Sequence, residues 1–170
     1  MEKTIQTDRL TITPFDLKNL RDYCAGFDTE VTKYQYPEPF ATESEAQTVL
    51  QSFIDLMNQG EMLFLSVFTK GGTFIGCVEV HGLQEDEPEL GIWIRKEYRQ
   101  KCYAFEALWS VMRVVNEHFH KEWYIYEADI RNEGSIKLAE KFICRKDSFD
   151  AFTTESGKEL KLQKFLIKLR

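Results

Sequence analysis

Between Glu89 and Met112 the chain reads ELGIWIRKEYRQKCYAFEALWSVM, a short apolar strand that runs through a basic turn into a helix with a long apolar face. Four cationic side chains, Arg95, Lys96, Arg99 and Lys101, crowd the turn. A helix N-terminus leaves amides unpaired and carries about half a positive charge from its dipole, so a basic loop leading into it suits an anion such as a phosphate. Taken alone, a basic turn also reads as a solvated surface loop. The strand before it and the helix after it favour a ligand site.

The positive charge is local. With 22 basic and 28 acidic side chains the net charge is −6, which gives no extended positive surface for nucleic acid or an anionic membrane. A chain of 170 residues, 43% of them hydrophobic, can bury a substantial core without disulfides or metal, and residues 1–170 are expected to form a single domain. MEKTIQTDRL at the N-terminus has no apolar core of signal-peptide length, and no later run is long enough to span a bilayer. A cytoplasmic protein with no membrane partner is therefore expected. Cys24, Cys77, Cys102 and Cys144 are scattered, without the close pairs of a zinc site or a dithiol motif, so reduced thiols are expected. His118 and His120, two apart on a helix, point to different faces, and no metal is expected.

Leu10, Ile12 and Phe15 with intervening threonines predict a first strand ending near Pro14, then a short helix from about Leu17 to Phe27. Lys33 to Phe40, KYQYPEPF, is a proline-broken loop whose aromatics either wall a pocket or anchor it to the core. Thr42-Glu43-Ser44-Glu45 is a capping box, and Ala46, Val49, Leu50, Phe53, Ile54 and Met57 recur at helical spacing up to a stop at Gly60. Met62 to Phe68 and Thr73 to Val80 read as a hairpin around Lys70-Gly71-Gly72, with the acidic GLQEDEPE following as an exposed loop. Glu89 to Ile94 is the next strand, in which Gly91 marks a bulge or a close backbone approach. From Ala104, Leu108, Val111, Met112, Val115 and Phe119 line one helix face. Trp123 to Asp129 is a strand, Asn132 to Ser135 a turn with capping chemistry, and Ile136 to Phe142 a short helix. Strands near Arg145 to Thr153 and Lys158 to Leu169 close the chain, with slipped alternation suggesting a bulge near Gln163. Early hairpins followed by helical crossovers imply an α/β fold: a mixed, mostly antiparallel sheet of about seven strands flanked by about four helices.

This order of elements, together with TDRLTITPF, ELGIWIRKEYRQKCYAFEAL and ADIRNEGSIKLAEKF, resembles the GNAT acyltransferases, and within them the branch of the ribosomal-protein N-terminal acetyltransferases. The resemblance implies acetyl-CoA as acyl donor. It also implies a splayed, bulged strand whose backbone, at Ile92, Trp93 and Ile94, meets the pantetheine arm. Arg99, Gln100, Lys101, Cys102, Tyr103 and Ala104 would hold the pyrophosphate, and Asn132 and Ser135 match an element beside the cofactor's thiol end. The chain departs from the family pattern in carrying Gln100 and Cys102 where glycines are usual, Ala139 where many members have a tyrosine acid, and Ile143-Cys144 in place of Gly-Phe.

Acetyl transfer to an amine needs a base, a donor to the developing oxyanion and an outlet for the thiolate. Glu79 and Glu89 are the carboxylate candidates for the base, with His81 as a third. A backbone amide near Trp93 is the candidate oxyanion donor, and Ser135 or Tyr126 can protonate the sulfur. Cys102, flanked by Arg99 and Lys101 at a helix start, reads either as a reactive thiol or as a replacement for a small residue. The expected activity is N-acetyl transfer to a primary amine of a small molecule or peptide, by a monomer or homodimer that binds no nucleic acid. The alternative is a CoA-binding regulatory module that has lost catalysis.

Overall fold

The computed structural model describes residues 4–170, so Met1 to Lys3, part of the segment read above for a signal peptide, lie outside the described residues. The chain opens with a two-residue strand β1 (Ile5–Gln6) and β2 (Leu10–Pro14), then a 3-10 turn (Leu17–Asn19), α1 (Leu20–Gly26), α2 (Thr29–Thr32) and α3 (Glu43–Gln59). The hairpin β3 (Leu63–Thr69) and β4 (Phe74–His81) leads to β5 (Glu89–Ile94), a second 3-10 turn (Lys96–Tyr98) and α4 (Tyr103–Phe119). Then come β6 (Tyr124–Asp129), α5 (Glu133–Ala139), β7 (Ile143–Thr153) and β8 (Glu159–Lys168). Among the described residues all strands join one eight-stranded sheet in the order β1-β2-β3-β4-β5-β6-β8-β7, antiparallel except where β5 meets β6.

The expected mixed sheet is therefore present with one strand more than predicted. β1 is too short to leave an alternation signal, and α2 is a single turn set by Asp28, whose carboxylate accepts from the amides of Glu30 and Val31. At α3 the Thr42 hydroxyl accepts from Glu45 N at 3.1 Å, while the Glu45 carboxylate reaches Ala41 N at 3.0 Å, one residue before the reciprocal partner of a capping box. Gly60 stops the helix in the left-handed conformation at φ 78°. The bulge predicted near Gln163 lies instead on the neighbouring strand: β8 pairs regularly with β6, and the register shifts on β7 between Lys146 and Phe149. Opposite it, the Gln163 amide donates to Ser148 O at 2.8 Å.

Two cores flank the sheet. On one face Leu65, Val78, Val80 and Leu90 pack against Leu108, Val111, Met112 and Val115 of α4. On the other, Phe15, Tyr23, Phe27, Phe64 and Trp93 form an aromatic cluster with α1 and α3, and Tyr23 meets Trp93 edge to face at 5.1 Å. Alternation along β4 sends Val78 and Val80 to the first face and Cys77 to the second. The sheet comes apart between β5 and β6. Their only pairing is Glu89 with Ile125, supported by Ile125 N to Pro88 O at 3.0 Å, and beyond it the strands diverge.

Candidate active site

The split between β5 and β6 opens a cleft of about 460 Å³, lined on one wall by the start of α4 and on the other by the start of α5. Ile92, Trp93, Ile94, Arg99, Gln100, Cys102, Tyr103, Ala104, Asn132 and Ser135 all line it, so three segments distant in sequence converge there. Lys101 does not. Its ammonium donates to Glu97 O at 3.0 Å and lies 5.3 Å from the Tyr98 ring, away from the cleft.

On the β5 wall, Arg95 N donates to Ile75 O at 2.8 Å, on the β4 side. Two-residue alternation therefore turns the amides of Trp93 and Gly91 toward β4 as well, and those of Ile92 and Ile94 toward the split. The Trp93 amide belongs to the β4 ladder, so of the amides near it those of Ile92 and Ile94 are the ones that face the split. Neither a bulge nor a close backbone approach is found at Gly91, because the pairing is regular and an added Cβ would meet only the Glu79 side chain, at ordinary van der Waals distance. Pairing with β4 runs without a register shift from Gly76 and Ile94 to His81 and Glu89, and a Cβ at Gly91 would lie 3.4 Å from Glu79 Cβ.

At the turn, Arg99 Nε donates to Ile94 O at 3.0 Å and fixes the corner. Gln100 and Cys102 both lie in the left-handed region, at φ 60° and 62°. Cys102 occupies the N-cap of α4 and provides no side-chain acceptor, and the first helical bond to it comes from Glu106 N at 3.1 Å. The amides of Tyr103, Ala104 and Phe105 lie ahead of that bond, where a helix has no acceptor of its own. Arg9 holds the turn from outside through Nη1 to Lys101 O at 2.9 Å and Nε to the Glu106 carboxylate at 2.7 Å. Lys137 and Lys141 bring positive charge from the opposite wall, and Lys141 Nζ lies 3.8 Å from Cys102 Sγ. Neither lysine is marked in the sequence. Each reads as the solvated face of a short helix until the fold sets α5 across from α4.

At the other wall, Asn132 Oδ1 accepts from Ser135 N at 3.2 Å, the capping contact expected of that turn, which here starts α5 at Glu133. The Ser135 and Tyr126 hydroxyls are 2.6 Å apart, and Tyr126 is buried. Burial pushes the Tyr126 phenol up to about 12 despite the Ser135 contact, which pulls it down. Both hydroxyls therefore keep their protons at neutral pH.

Glu79 and Glu89 lie outside the cleft lining, on the sheet face that carries Trp93. The Glu79 carboxylate is 2.9 Å from His81 Nε2, and Glu79 is the more shielded partner, with 19% of its side chain exposed against 41% for His81. Its hydrogen bond raises the His81 pKa, against burial, which lowers it. Among the described residues no group of three or more side chains is arranged to hold a metal, and no helix is long and apolar enough to cross a membrane.

Residues 9–143 match the family model described as the acetyltransferase (GNAT) domain. An uncharacterized N-acetyltransferase, p20, of Bacillus licheniformis is 26% identical over 140 residues, covering 80% of this chain and 79% of that protein. Among solved structures, RimL, a ribosomal L7/L12 alpha-N-protein acetyltransferase in complex with coenzyme A, superposes with a TM-score of 0.85 at 11% identity, covering 98% of both chains. A spermidine N-acetyltransferase from Vibrio cholerae, in complex with CoA and spermine, gives a TM-score of 0.80 at 15% identity over 95% of this chain and 96% of that one. At such identities the two structures attest to a shared fold.

Proposed function

The chain belongs to the GNAT acetyltransferase family, and from that membership we propose that it transfers an acetyl group from acetyl-CoA to a primary amine. The observation that carries this reading is the meeting of a sheet split with an uncapped helix N-terminus in one cleft. The amides of Tyr103, Ala104 and Phe105 would hold the pyrophosphate, with Lys137 and Lys141 adding charge from across the cleft. Along the strand edge that faces the split, the Ile94 amide would take the pantetheine arm, which leaves the Ile92 amide for the thioester end. Acetyl-CoA, when bound, supplies an activated thioester acetyl group.

The remaining work falls to the chain's own side chains. Glu79 is the favoured base, acting through water on the incoming ammonium, because it is shielded, lies over Gly91 and shares its proton contact with His81. Glu89, at the closed end of the split, is the second candidate. The Ile92 amide is the donor aimed at the carbonyl oxygen. Ser135, with Tyr126 behind it, can deliver a proton to the departing sulfur, and the thiol's unperturbed pKa of about 8.5 makes that demand modest. The absence of a tyrosine at Ala139 is compatible with this arrangement.

The acceptor is an amine of a small molecule or of a peptide N-terminus, the two classes named for the structurally similar spermidine and ribosomal-protein enzymes. Gln100 and Cys102 in place of glycines favour one other reading, a CoA-binding module without turnover. Incubation with acetyl-CoA and a panel containing spermidine and a peptide with a free N-terminal serine separates the two. Acetylated amine supports the enzyme, whereas CoA binding without product on any amine supports the module.

A further inference from the structure

The loop that follows α2 is tied across the cleft by a single ammonium. Lys158, in the β7–β8 hairpin, donates to Thr32 O at 3.0 Å and Gln35 O at 2.6 Å, and its Nζ lies 2.9 Å from Glu38 Oε1. An ammonium has three donors, and all three are spent on this one loop. Ser156 Oγ adds a bond to the same Glu38 oxygen at 2.8 Å. The Lys158 side chain is only 20% exposed, so the contacts are shielded from competing water. Tyr34 and Gln35 of this loop line the cleft, and Phe40 at its far end packs 6.0 Å from Phe27 in the aromatic core. A second tie lies alongside. The Arg131 guanidinium, fixed by Asp129 at 2.7 Å, lies 5.4 Å from the centre of the Tyr34 ring.

These ties join the two parts of the molecule that the sheet leaves nearly unjoined. The loop grows from α2, on the β1–β5 side, while Lys158, Ser156 and Arg131 come from the β6–β8 side, and between the sides β5 and β6 share only the Glu89–Ile125 bridge. We propose that Lys158 is a positioning residue whose ammonium straps residues 32–38 over the cleft and so holds the wall against which the acceptor amine is placed. This rests on the acetyltransferase reading for the acceptor, but the strap itself does not depend on it. Removing the ammonium frees two carbonyls and a carboxylate to water, and the loop opens while the α4 start, on the other wall, keeps its geometry.

The test compares the full-length parent with Lys158→Met and Lys158→Arg by amide hydrogen exchange, calorimetric CoA titration and steady-state kinetics with spermidine and with the N-terminal serine peptide. In Lys158→Met, exchange over residues 32–38 is expected to speed at least tenfold with α3 and α4 unchanged. The acceptor KM rises about tenfold, kcat falls less than threefold and CoA affinity stays within twofold. Lys158→Arg, which keeps the charge but not the tripod of donors, falls between. Unchanged exchange over 32–38 overturns the strap, and faster exchange with an unchanged KM reduces it to a structural tie and overturns the positioning role. A parent that acetylates neither amine counts against the enzyme reading alone, and the strap then stands or falls on the exchange data.

Discussion

Two side chains occupy backbone conformations that glycine would hold without cost. Gln100 and Cys102, at φ 60° and 62°, each bear a penalty of about 1–2 kcal/mol for a Cβ in the left-handed region. These φ values belong to the folded turn itself, so the cost falls on folding. Gln100→Gly with Cys102→Gly is therefore expected to stabilise the protein by about 1 kcal/mol after the glycines' added freedom in the unfolded chain is subtracted. That corresponds to roughly 2–4 °C in melting temperature for a domain of this size, with CoA affinity within twofold. A lower melting temperature would contradict it. His81 offers a pH-dependent check. Its pKa is raised by Glu79, so the pair stabilises the fold fully below the unfolded value of about 6.5 and loses that contribution as pH rises through the folded pKa. Imidazole titration by NMR should give a midpoint above 6.5 in the parent and a lower one in Glu79→Gln. Equal midpoints would break the pairing. The sequence marks Gln100 and Cys102 as departures from a pattern, and the structure adds their positive φ, at a corner held by Arg99 and Arg9. The contact between Tyr126 and Ser135 is likewise invisible in sequence, since it depends on where α5 settles beside β6.

Helices and strands were legible where a local rule fixes their ends. Thr42, Gly60 and the Lys70-Gly71-Gly72 turn each impose a boundary through backbone chemistry alone, and the boundaries fall there. Pairing partners carry no such local signal. The slipped alternation of β8 is real, yet the bulge lies on β7, because irregularity in one strand can be absorbed by its neighbour. The junction of β6, β8 and α5 was also missed. Asp129, fully buried, accepts from Arg131 N and from Lys161 N, each at 2.9 Å, and from the Arg131 guanidinium. Burial pushes its carboxyl up, but these bonds more than offset it and hold the pKa at about 2. Asp129→Asn keeps the shape but loses acceptor capacity, and is expected to cost roughly 2 kcal/mol in chemical denaturation at neutral pH. The depressed pKa makes the carboxylate's contribution complete above about pH 4 and lost as pH falls toward 2, so the gap between parent and variant should narrow in acid. A constant gap from pH 7 to pH 2 would contradict it.

Across the whole molecule, one sheet is divided by the β5–β6 split into a large and a small part, and the cleft, the uncapped helix start and the Lys158 strap all lie along that division. Against a net charge of −6, the turn after β5 and the lysines of α5 and its end form a local positive site, for which a small anionic ligand is the proposed occupant. The amides at the start of α4 are proposed to hold the phosphates of CoA. Ala104→Asp tests this, because a carboxylate in the first helical turn is favoured by the helix dipole, which offsets its cost at a half-buried position, while it places negative charge against the pyrophosphate. Calorimetric titration with CoA is predicted to give one site in the parent and at least tenfold weaker binding in Ala104→Asp, a loss of about 1.4 kcal/mol or more, at an unchanged or higher melting temperature. No binding to the parent at millimolar CoA, or equal affinity in the two proteins, would contradict it.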